Sequence, residues 1–238
     1  MATINLLYKR EIPINEKIKI VIPLVGEVIE QEDDYYSLIS MLTAMPIDMM
    51  LPLEKAGIDF TTISAYEMFL IFFRGMVEMD TSLVFGDLDL RAFRPAINED
   101  NQSLSLVDPV NDIVINKAIY NKIAVTLRKL HNLKKDNRKP GNKEAKEYML
   151  ERARVKAERD KRRSKDSQLE SLIVSMVNAE QFKYDYESVL GLTIYQFNES
   201  VHQIINKVAF DNRMIGVYAG TVNAKELSQD DLNWLRHQ

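Results

Sequence analysis

The chain contains no cysteine, and this absence removes several kinds of chemistry at once. A protein without cysteine has no disulfide, no thiolate nucleophile, no iron–sulfur cluster and no cysteine-bound zinc. Only three histidines are present, His131, His202 and His237, so most other transition-metal sites are not expected either. Glycine and proline are also scarce, with 8 and 7 residues among 238, which excludes a collagen-like chain.

Long apolar runs are missing as well. The longest strongly apolar run, Met68–Phe73, has six residues, whereas a membrane-spanning helix needs about 20. The segment Met1–Arg10 places its apolar residues before its basic ones. A signal peptide has the opposite order. We therefore expect a cytoplasmic protein with no membrane partner.

Motifs for catalysis or for a cofactor are not found. The histidines stand in no HExxH pattern, and no GxSxG or protein-kinase motif is present. The segment Lys139–Asn142 lacks the spacing and the Lys-Ser/Thr ending of a phosphate-binding loop. A Ser–His–Asp triad assembled by the fold remains an alternative, because triads are defined by geometry. The sequence predicts no enzyme and no cofactor.

Two groups of carboxylates are the candidates for metal chemistry. Glu30, Glu32, Asp33 and Asp34 supply oxygen ligands suited to Ca²⁺ or Mg²⁺, but acidic residues also favour the beginning of a helix. A second pair, Asp87 and Asp89, would share one face of a predicted strand and could support metal-assisted chemistry or simply face solvent. We favour the structural interpretation of both groups and predict no metal site.

The modest net charge of −4 conceals a strong asymmetry. Residues 128–166 hold sixteen Lys or Arg and seven Asp or Glu, a net charge of +9, and the remainder of the chain carries −13. Such a segment is a solvated helix, a docking surface for an acidic protein, or a nucleic-acid-binding arm. It contains one aromatic residue, Tyr148, and therefore lacks the stacking surface typical of single-strand binding.

Hydrophobic periodicity predicts a mainly α, α+β fold. The first thirty residues alternate as in extended chain, and residues 81–109 alternate as in a small hairpin with a turn at Asn98–Asn101, which the N-terminal strand could join. The first predicted helix contains the apolar residues from Tyr35 to Leu42. The others cover 47–55, 65–76, 111–130, 143–163, 169–177 and 194–208.

These elements and the charge pattern predict three regions. Residues 1–133 form an N-terminal α+β domain, 134–167 a basic helical connector, and 168–238 a smaller C-terminal domain that is entirely helical. The apolar positions of the connector do not repeat as a heptad, so a coiled coil is not expected there. A second copy of the chain is among the partners that the helical faces could bind.

Segments at both ends resemble proteins of tailed phages and prophages. The C-terminal segments are Leu192–Val201, Gly216–Thr221 and Leu232–Arg236, and the N-terminal ones are Leu6–Arg10 and Leu42–Pro46. They are similar to proteins encoded among tail and baseplate genes, where tail assembly chaperones and minor structural proteins occur. The resemblance implies a role in assembly, and that family has no catalytic residues to transfer to this chain.

We therefore predict a non-enzymatic phage tail or virion assembly protein that acts by binding other phage proteins, such as tail or baseplate components. The alternative is nucleic-acid binding through residues 128–165, which would weaken steeply as salt is added. The predicted partner-binding residues are Arg152, Arg154, Arg159, Arg162, Arg163 and Trp234.

Overall fold

The computed structural model describes residues 6–97, 103–161, 167–229 and 231–235. Helices dominate and the strands are short and antiparallel, so the predicted mainly α, α+β class is confirmed. The helices are α1 (Val25–Glu30), α2 (Glu32–Thr43), α3 (Met50–Lys55), α4 (Ala65–Met76), α5 (Ser82–Phe85), α6 (Lys117–Leu130), α7 (Lys143–Lys161), α8 (Gln168–Val177), α9 (Tyr186–Leu190) and α10 (Ile194–Tyr218). The strands are β1 (Glu11–Pro13), β2 (Lys19–Val21), β3 (Arg94–Ile97), β4 (Leu104–Asp108) and β5 (Ile113–Ile115).

Extended chain at the beginning of the protein ends earlier than predicted. Strands β1 and β2 pair antiparallel, with Ile12 opposite Ile20, and the alternating isoleucines are buried as expected. The prediction that this conformation continues to residue 30 is wrong, because α1 begins at Val25. A carboxylate oxygen of Glu27 accepts a hydrogen bond from the Leu24 N–H at 2.6 Å, which stabilises the first turn of the helix.

The first long helices follow their sequence signals closely. Helix α4 has the predicted bounds, and its predicted capping box is present. The Ser64 hydroxyl accepts from the Glu67 N–H at 3.2 Å, while Glu67 accepts from the Ser64 N–H at 2.8 Å. Three acidic residues occupy the first turn of α2 as expected. The predicted helix over 47–55 is a 3₁₀ turn, Pro46–Met49, followed by α3.

Only part of residues 81–109, predicted as a hairpin from their alternating pattern, forms strands. Leu83 and Phe85 lie in α5 rather than in a strand, because Asp80 accepts from the Ser82 N–H at 2.9 Å and so stabilises a helical turn. The observed three-stranded sheet has the order β3-β4-β5, and β1 and β2 form a separate pair. Residues 98–101 of the predicted turn lie outside the described residues. Ile115, expected in a helix, belongs to β5.

One continuous apolar cluster connects elements from both ends of the chain. Helices α2, α4, α6, α8 and α9 and the first turn of α10 all contribute buried side chains to it. Two backbone hydrogen bonds reinforce this connection: the Val25 N–H donates to Leu192 O and the Ile194 N–H donates to Pro23 O, each at 2.8 Å. The division at residues 133 and 167 stays a prediction.

A tyrosine hydroxyl inside this cluster is left without a partner. Tyr120 is fully buried and stacks on Phe69 with ring centroids 4.6 Å apart. Among the described residues, no donor or acceptor lies within hydrogen-bonding distance of its hydroxyl. Burial accordingly raises the pKa of Tyr120.

Removing that hydroxyl is expected to stabilise the protein. We expect Tyr120→Phe to raise the free energy of unfolding by about 1 kcal/mol, because an unsatisfied buried polar group is eliminated and the stacked ring is kept. Urea denaturation monitored by circular dichroism measures the change. Tyr66→Phe is the matched control, because the Tyr66 hydroxyl lies 2.9 Å from Leu104 O and 3.0 Å from Ile115 O. That control should be destabilised.

Candidate interaction surfaces

The predicted basic connector contains a helix that packs on the protein. Helix α7 buries Leu150 in a small cluster with Leu53, Phe60 and Met68. Lys146 forms an ion pair with Asp59, with 2.7 Å between Nζ and Oδ2. The Lys146 ammonium, together with the N–H and hydroxyl of Thr61, lowers the pKa of Asp59 to about 2. The inner face of α7 is therefore occupied within the chain.

The predicted arginines of this region have different environments. Arg154 binds both carboxylate oxygens of Glu54, at 2.8 and 2.9 Å, and is thus engaged within the protein. Arg152 lies beside Tyr148, with its guanidinium 5.9 Å from the ring centroid. Arg159 is exposed at the last turns of the helix. Arg162 and Arg163 lie outside the described residues.

The two described arginines nearest the middle of α7 should differ slightly in their effect on stability. We expect Arg154→Gln to lower the free energy of unfolding by about 0.5 kcal/mol, because it breaks a pair between half-exposed groups. Arg152→Gln should change it by less, since Arg152 contacts only its own helix. Urea denaturation at low and high salt tests both, and a loss well above 1 kcal/mol for Arg154→Gln would contradict this assignment.

The excess positive charge is not evenly distributed along the connector. Residues 143–160 of α7 hold six basic and five acidic residues, so the described part of this helix is nearly neutral. The preceding segment, 128–139, holds six basic residues and one acidic residue. Within it, Arg128 donates to Thr43 O at 3.0 Å and Lys139 to Thr61 O at 3.0 Å. Lys134 and Lys135, in the loop of this segment, are both exposed.

Two of the candidate carboxylates, Asp89 and Glu32, have partners within the protein. Asp89 is not on a strand: it caps a 3₁₀ turn and pairs with Arg91 at 2.9 Å, which lowers its pKa. Glu32 accepts from the Leu169 N–H at 2.9 Å and so joins the beginning of α8 to α2. In the part of the chain that the structure describes, no group of three or more potential ligands is placed to hold a metal ion. Neither Asp87 nor Asp89 lies on a strand, so the strand predicted there is wrong.

His131 lies in an aromatic pocket that sequence analysis did not single out. Its Nε2 is 3.0 Å from the Tyr35 hydroxyl, and the rings of Tyr35 and Tyr36 lie 5.6 and 6.0 Å from its own. Burial lowers the pKa of His131 to about 4. Burial likewise raises the pKa of Tyr36 to about 12. Among the described contacts, the imidazole is thus surrounded by the two tyrosines of α2.

Trp234 contacts the chain's own last long helix. The ammonium of Lys207 lies 5.6 Å from the centroid of the Trp234 ring, and Arg213 pairs with Asp231 at 3.2 Å. A Cβ added at Gly216 would lie 2.7 Å from a methyl group of Val222, so glycine permits this close approach. Residues 221–229 and 231–235 therefore fold back along one side of α10.

The opposite side of α10 is bare and carries no charge. Its first half packs into the core through Ile194 and Phe197, which are fully buried. From residue 205 to residue 219, the solvent-exposed positions of this helix are all uncharged, and we call these residues the α10 stripe. They are Ile205, Val208, Ala209, Asn212, Ile215, Tyr218 and Ala219. An exposed apolar stripe of this kind is typical of a surface that binds another protein.

The apolar repeat of this helix predicted only its buried half. Ile205 and Val208 lie in the same predicted helix and apolar repeat as the buried Ile194 and Phe197, yet Ile205 is 59% exposed and Val208 38%. The neighbouring charged residues lie to the other side, where Lys207 and Asp211 pair at 2.6 Å. Within the described residues, no helix is long and apolar enough to cross a membrane.

The part of the chain that carries this stripe also matches a known family. Residues 160–238 match the YomV second domain. That family is phage-derived, from a Bacillus prophage, so the match indicates a phage protein. The YomV-like segment covers a third of the chain and contains α8, α9, α10 and the folded-back residues 221–229 and 231–235. No curated protein and no solved structure matches the chain.

Proposed function

We propose that the protein is a non-enzymatic phage tail or virion assembly protein that binds another phage protein. The observation that carries the proposal is the uncharged, exposed α10 stripe within the YomV-like segment. Burial of apolar surface supplies about 25 cal/mol per Å² on association. A partner that covers Ile205, Val208 and Ile215 would gain this energy without desolvating any charge of the stripe.

The mechanism is protein binding alone. The folded-back residues 221–229 and 231–235 cover one side of α10, where Arg213 pairs with Asp231 and Lys207 contacts the Trp234 ring. The stripe on the other side is thereby presented on a helix that is already ordered. A preformed surface costs little conformational entropy on binding, which favours assembly. Either location fits this mechanism: a chaperone works in the host cytoplasm, and a structural protein stays in the virion.

The test compares the wild-type protein with a stripe variant during phage production in the native host. Chemical cross-linking with mass spectrometry should identify a tail, baseplate or head protein joined to the YomV-like segment. Ile215→Glu should reduce that cross-link at least about tenfold, because it places a charge in the apolar contact. Val125→Glu is the matched control, since Val125 is exposed to a similar degree, 62% against 65%, on another helix.

Purified particles then separate the two forms of the proposal. A chaperone would be cross-linked during assembly and absent from finished particles, whereas a virion protein would remain in them. Absence of the protein from particles together with absence of any cross-link to a phage structural protein would overturn the proposal.

Nucleic-acid binding is the second candidate, favoured by the exposed loop around Lys134 and Lys135. Binding to labelled DNA or RNA should then fall linearly on a plot of log affinity against log salt. The double variant Lys134→Gln, Lys135→Gln should reduce the slope by about two. A flat salt dependence would remove this candidate.

A further inference from the structure

Helix α7 is held on the rest of the protein by little apolar surface. Among residues 143–160, whose side chains the structure describes, Leu150 alone is buried. Ala153 and Ala157, on the same side of the helix, are small and partly exposed. By comparison, the shorter α6 buries five side chains. Since apolar burial is the main source of packing energy, α7 is weakly attached for a helix of 19 residues.

The side chains beneath α7 form a cluster of their own. Leu150 packs with Ala44, Leu53, Phe60 and Met68, and these five residues do not belong to the main apolar cluster. The helix packs against α3, which also lies outside that cluster. Removal of α7 from its site would therefore take no described buried side chain away from the main cluster.

The ion pairs that hold α7 are accessible to water and salt. Lys146 pairs with Asp59 at 2.7 Å and Arg154 with Glu54 at 2.8 Å, and these four side chains are 30–49% exposed. Pairs between groups this exposed contribute little to stability, and salt weakens them further. A substantial part of the attachment of α7 should consequently be lost at high ionic strength.

Both neighbouring helices are anchored independently of α7. Leu130, the last residue of α6, and Leu169, near the beginning of α8, are buried in the main apolar cluster. The Leu169 N–H also donates to Glu32 at 2.9 Å. Residues 132–142, which precede α7, form no helix or strand and so supply slack. Helix α7 can therefore leave its site while α6 and α8 stay in place.

We propose that α7 is a strap that opens reversibly from α3 while the rest of the chain stays folded, and that ionic strength sets how often it opens. Regions with few buried apolar contacts open locally in this way. Opening exposes Leu53 and Phe60 together with the carboxylates of Glu54 and Asp59, so the strap controls access to a surface that the closed protein covers. This inference goes beyond the proposed function and does not depend on the α10 stripe.

Hydrogen exchange of the wild-type chain, measured by mass spectrometry, tests the strap directly. The amides of residues 147–154, in the middle of α7, should exchange at least about 100-fold faster than those of residues 120–127 of α6, because they need only a local opening. An increase from about 50 mM to about 500 mM NaCl should accelerate exchange in α7 several-fold and leave α6 unaccelerated. Exchange of α7 at the rate of α6, or exchange that salt does not accelerate, overturns the proposal.

Two substitutions on α7 separate opening of the strap from fraying of the helix. Leu150→Ala should accelerate exchange of residues 147–154 at least about tenfold, because it removes the buried contact with α3 and Phe60. Val155→Ala is the matched control, since Val155 is exposed on the same helix. Alanine favours helix at both positions, so fraying would not be accelerated in either variant. Equal exchange in the two variants overturns the proposal.

The salt effect is assigned by the ion pairs. The double variant Lys146→Gln, Arg154→Gln should exchange faster than the wild type at low salt and lose most of the acceleration by NaCl, because both pairs with the body are gone. Arg152→Gln should keep that acceleration, since Arg152 bonds to Tyr148 of its own helix. A double variant with the full salt effect would contradict the proposed control by ionic strength.

Thiol reactivity shows whether the covered surface is uncovered, because the natural chain has no cysteine. Leu53→Cys and Leu127→Cys are matched, since both leucines are fully buried, one beneath α7 and the other in the main cluster. An aromatic disulfide reagent should modify Leu53→Cys at least about tenfold faster, and salt should increase only that rate. Equally slow modification of both overturns the proposal. The exchange measurement on the wild type decides the question if a cysteine variant fails to fold.

Discussion

Phe197→Ala is expected to lower the free energy of unfolding by about 4 kcal/mol and to destabilise both ends of the chain together. Phe197 is fully buried at the first turns of α10, and its ring contacts Phe182 edge to face with 6.2 Å between the centroids. Truncation of a buried phenylalanine costs about 3–5 kcal/mol, because it removes apolar contacts and leaves a cavity.

The loss should spread because the residue joins two parts of the chain. The adjoining segment forms backbone hydrogen bonds with residues 23–25 through Leu192 and Ile194. Far-UV circular dichroism reports the helices of the whole chain, and fluorescence of the single tryptophan, Trp234, reports the end of the YomV-like segment. We expect both signals to change at the same urea concentration in the wild type and at the same lower concentration in the variant.

The matched control for this substitution lies on the same helix. Ile205→Ala should change the free energy of unfolding of the monomer by about 0.5 kcal/mol or less, because Ile205 is exposed there. Two separate transitions in the wild type would show that the predicted C-terminal domain unfolds by itself and would contradict the expectation.

Sequence signals that act over a few residues predicted local structure well. The capping box of Ser64 and Glu67 fixed the beginning of α4, because both partners lie within one helical turn. The acidic first turn of α2 was visible for the same reason. Alternation was less informative at Leu83 and Phe85, where a side-chain hydrogen bond from an aspartate to the backbone favoured a helical turn instead.

Features that depend on tertiary packing could not be predicted in this way. The net charge of residues 128–166 gave no sign that Arg154 and Lys146 are paired with Glu54 and Asp59, which are far away in sequence. The apolar repeat of α10 likewise continues without change past residue 204, where the body that covers it ends. Periodicity shows which side of a helix is apolar, and only the fold shows where that side is left bare.

The pocket of His131 was missed for a related reason. In sequence, His131 stands at the edge of the basic region, with no neighbouring residue that suggests burial. The tyrosines that enclose it belong to α2, almost a hundred residues earlier. The helical repeats predict α2 and α6 as separate helices. They do not predict that the two helices pack against each other, and the contact of His131 with the tyrosines depends on that packing.

Acidification from pH 7 to pH 5 is expected to lower the free energy of unfolding by about 2 kcal/mol. The pKa of His131 is about 4 in the folded protein, below its value of about 6.5 in an unfolded chain. The unfolded state therefore binds more protons between these values, and stability falls as the pH falls through this range. Above pH 6.5 the imidazole is mostly neutral in both states, so the folded protein keeps its full stability there.

The carboxylates do not explain a loss in this range. The pKa values of Asp59 and Asp136 are lowered to about 2 by Lys146 and Arg138, respectively. Their contribution is complete above the unfolded pKa near 4 and is lost only at lower pH. Urea denaturation at pH 7, 6 and 5 consequently isolates the imidazole.

A pair of histidine variants identifies the responsible residue. His131→Gln should flatten the dependence on pH between 7 and 5, whatever its effect on stability at pH 7, because the titrating group is gone. His202→Gln is the matched control and should keep the dependence, because His202 lies on α10, 3.1 Å from Asn206, and not beside Tyr35 and Tyr36. If His131→Gln kept the same slope, the aromatic pocket of Tyr35 and Tyr36 would not be the origin of the effect. If the dependence on pH disappears in His131→Gln, protonation of the His131 imidazole, which lies between α2 and α6, controls the stability of the folded protein in this pH range.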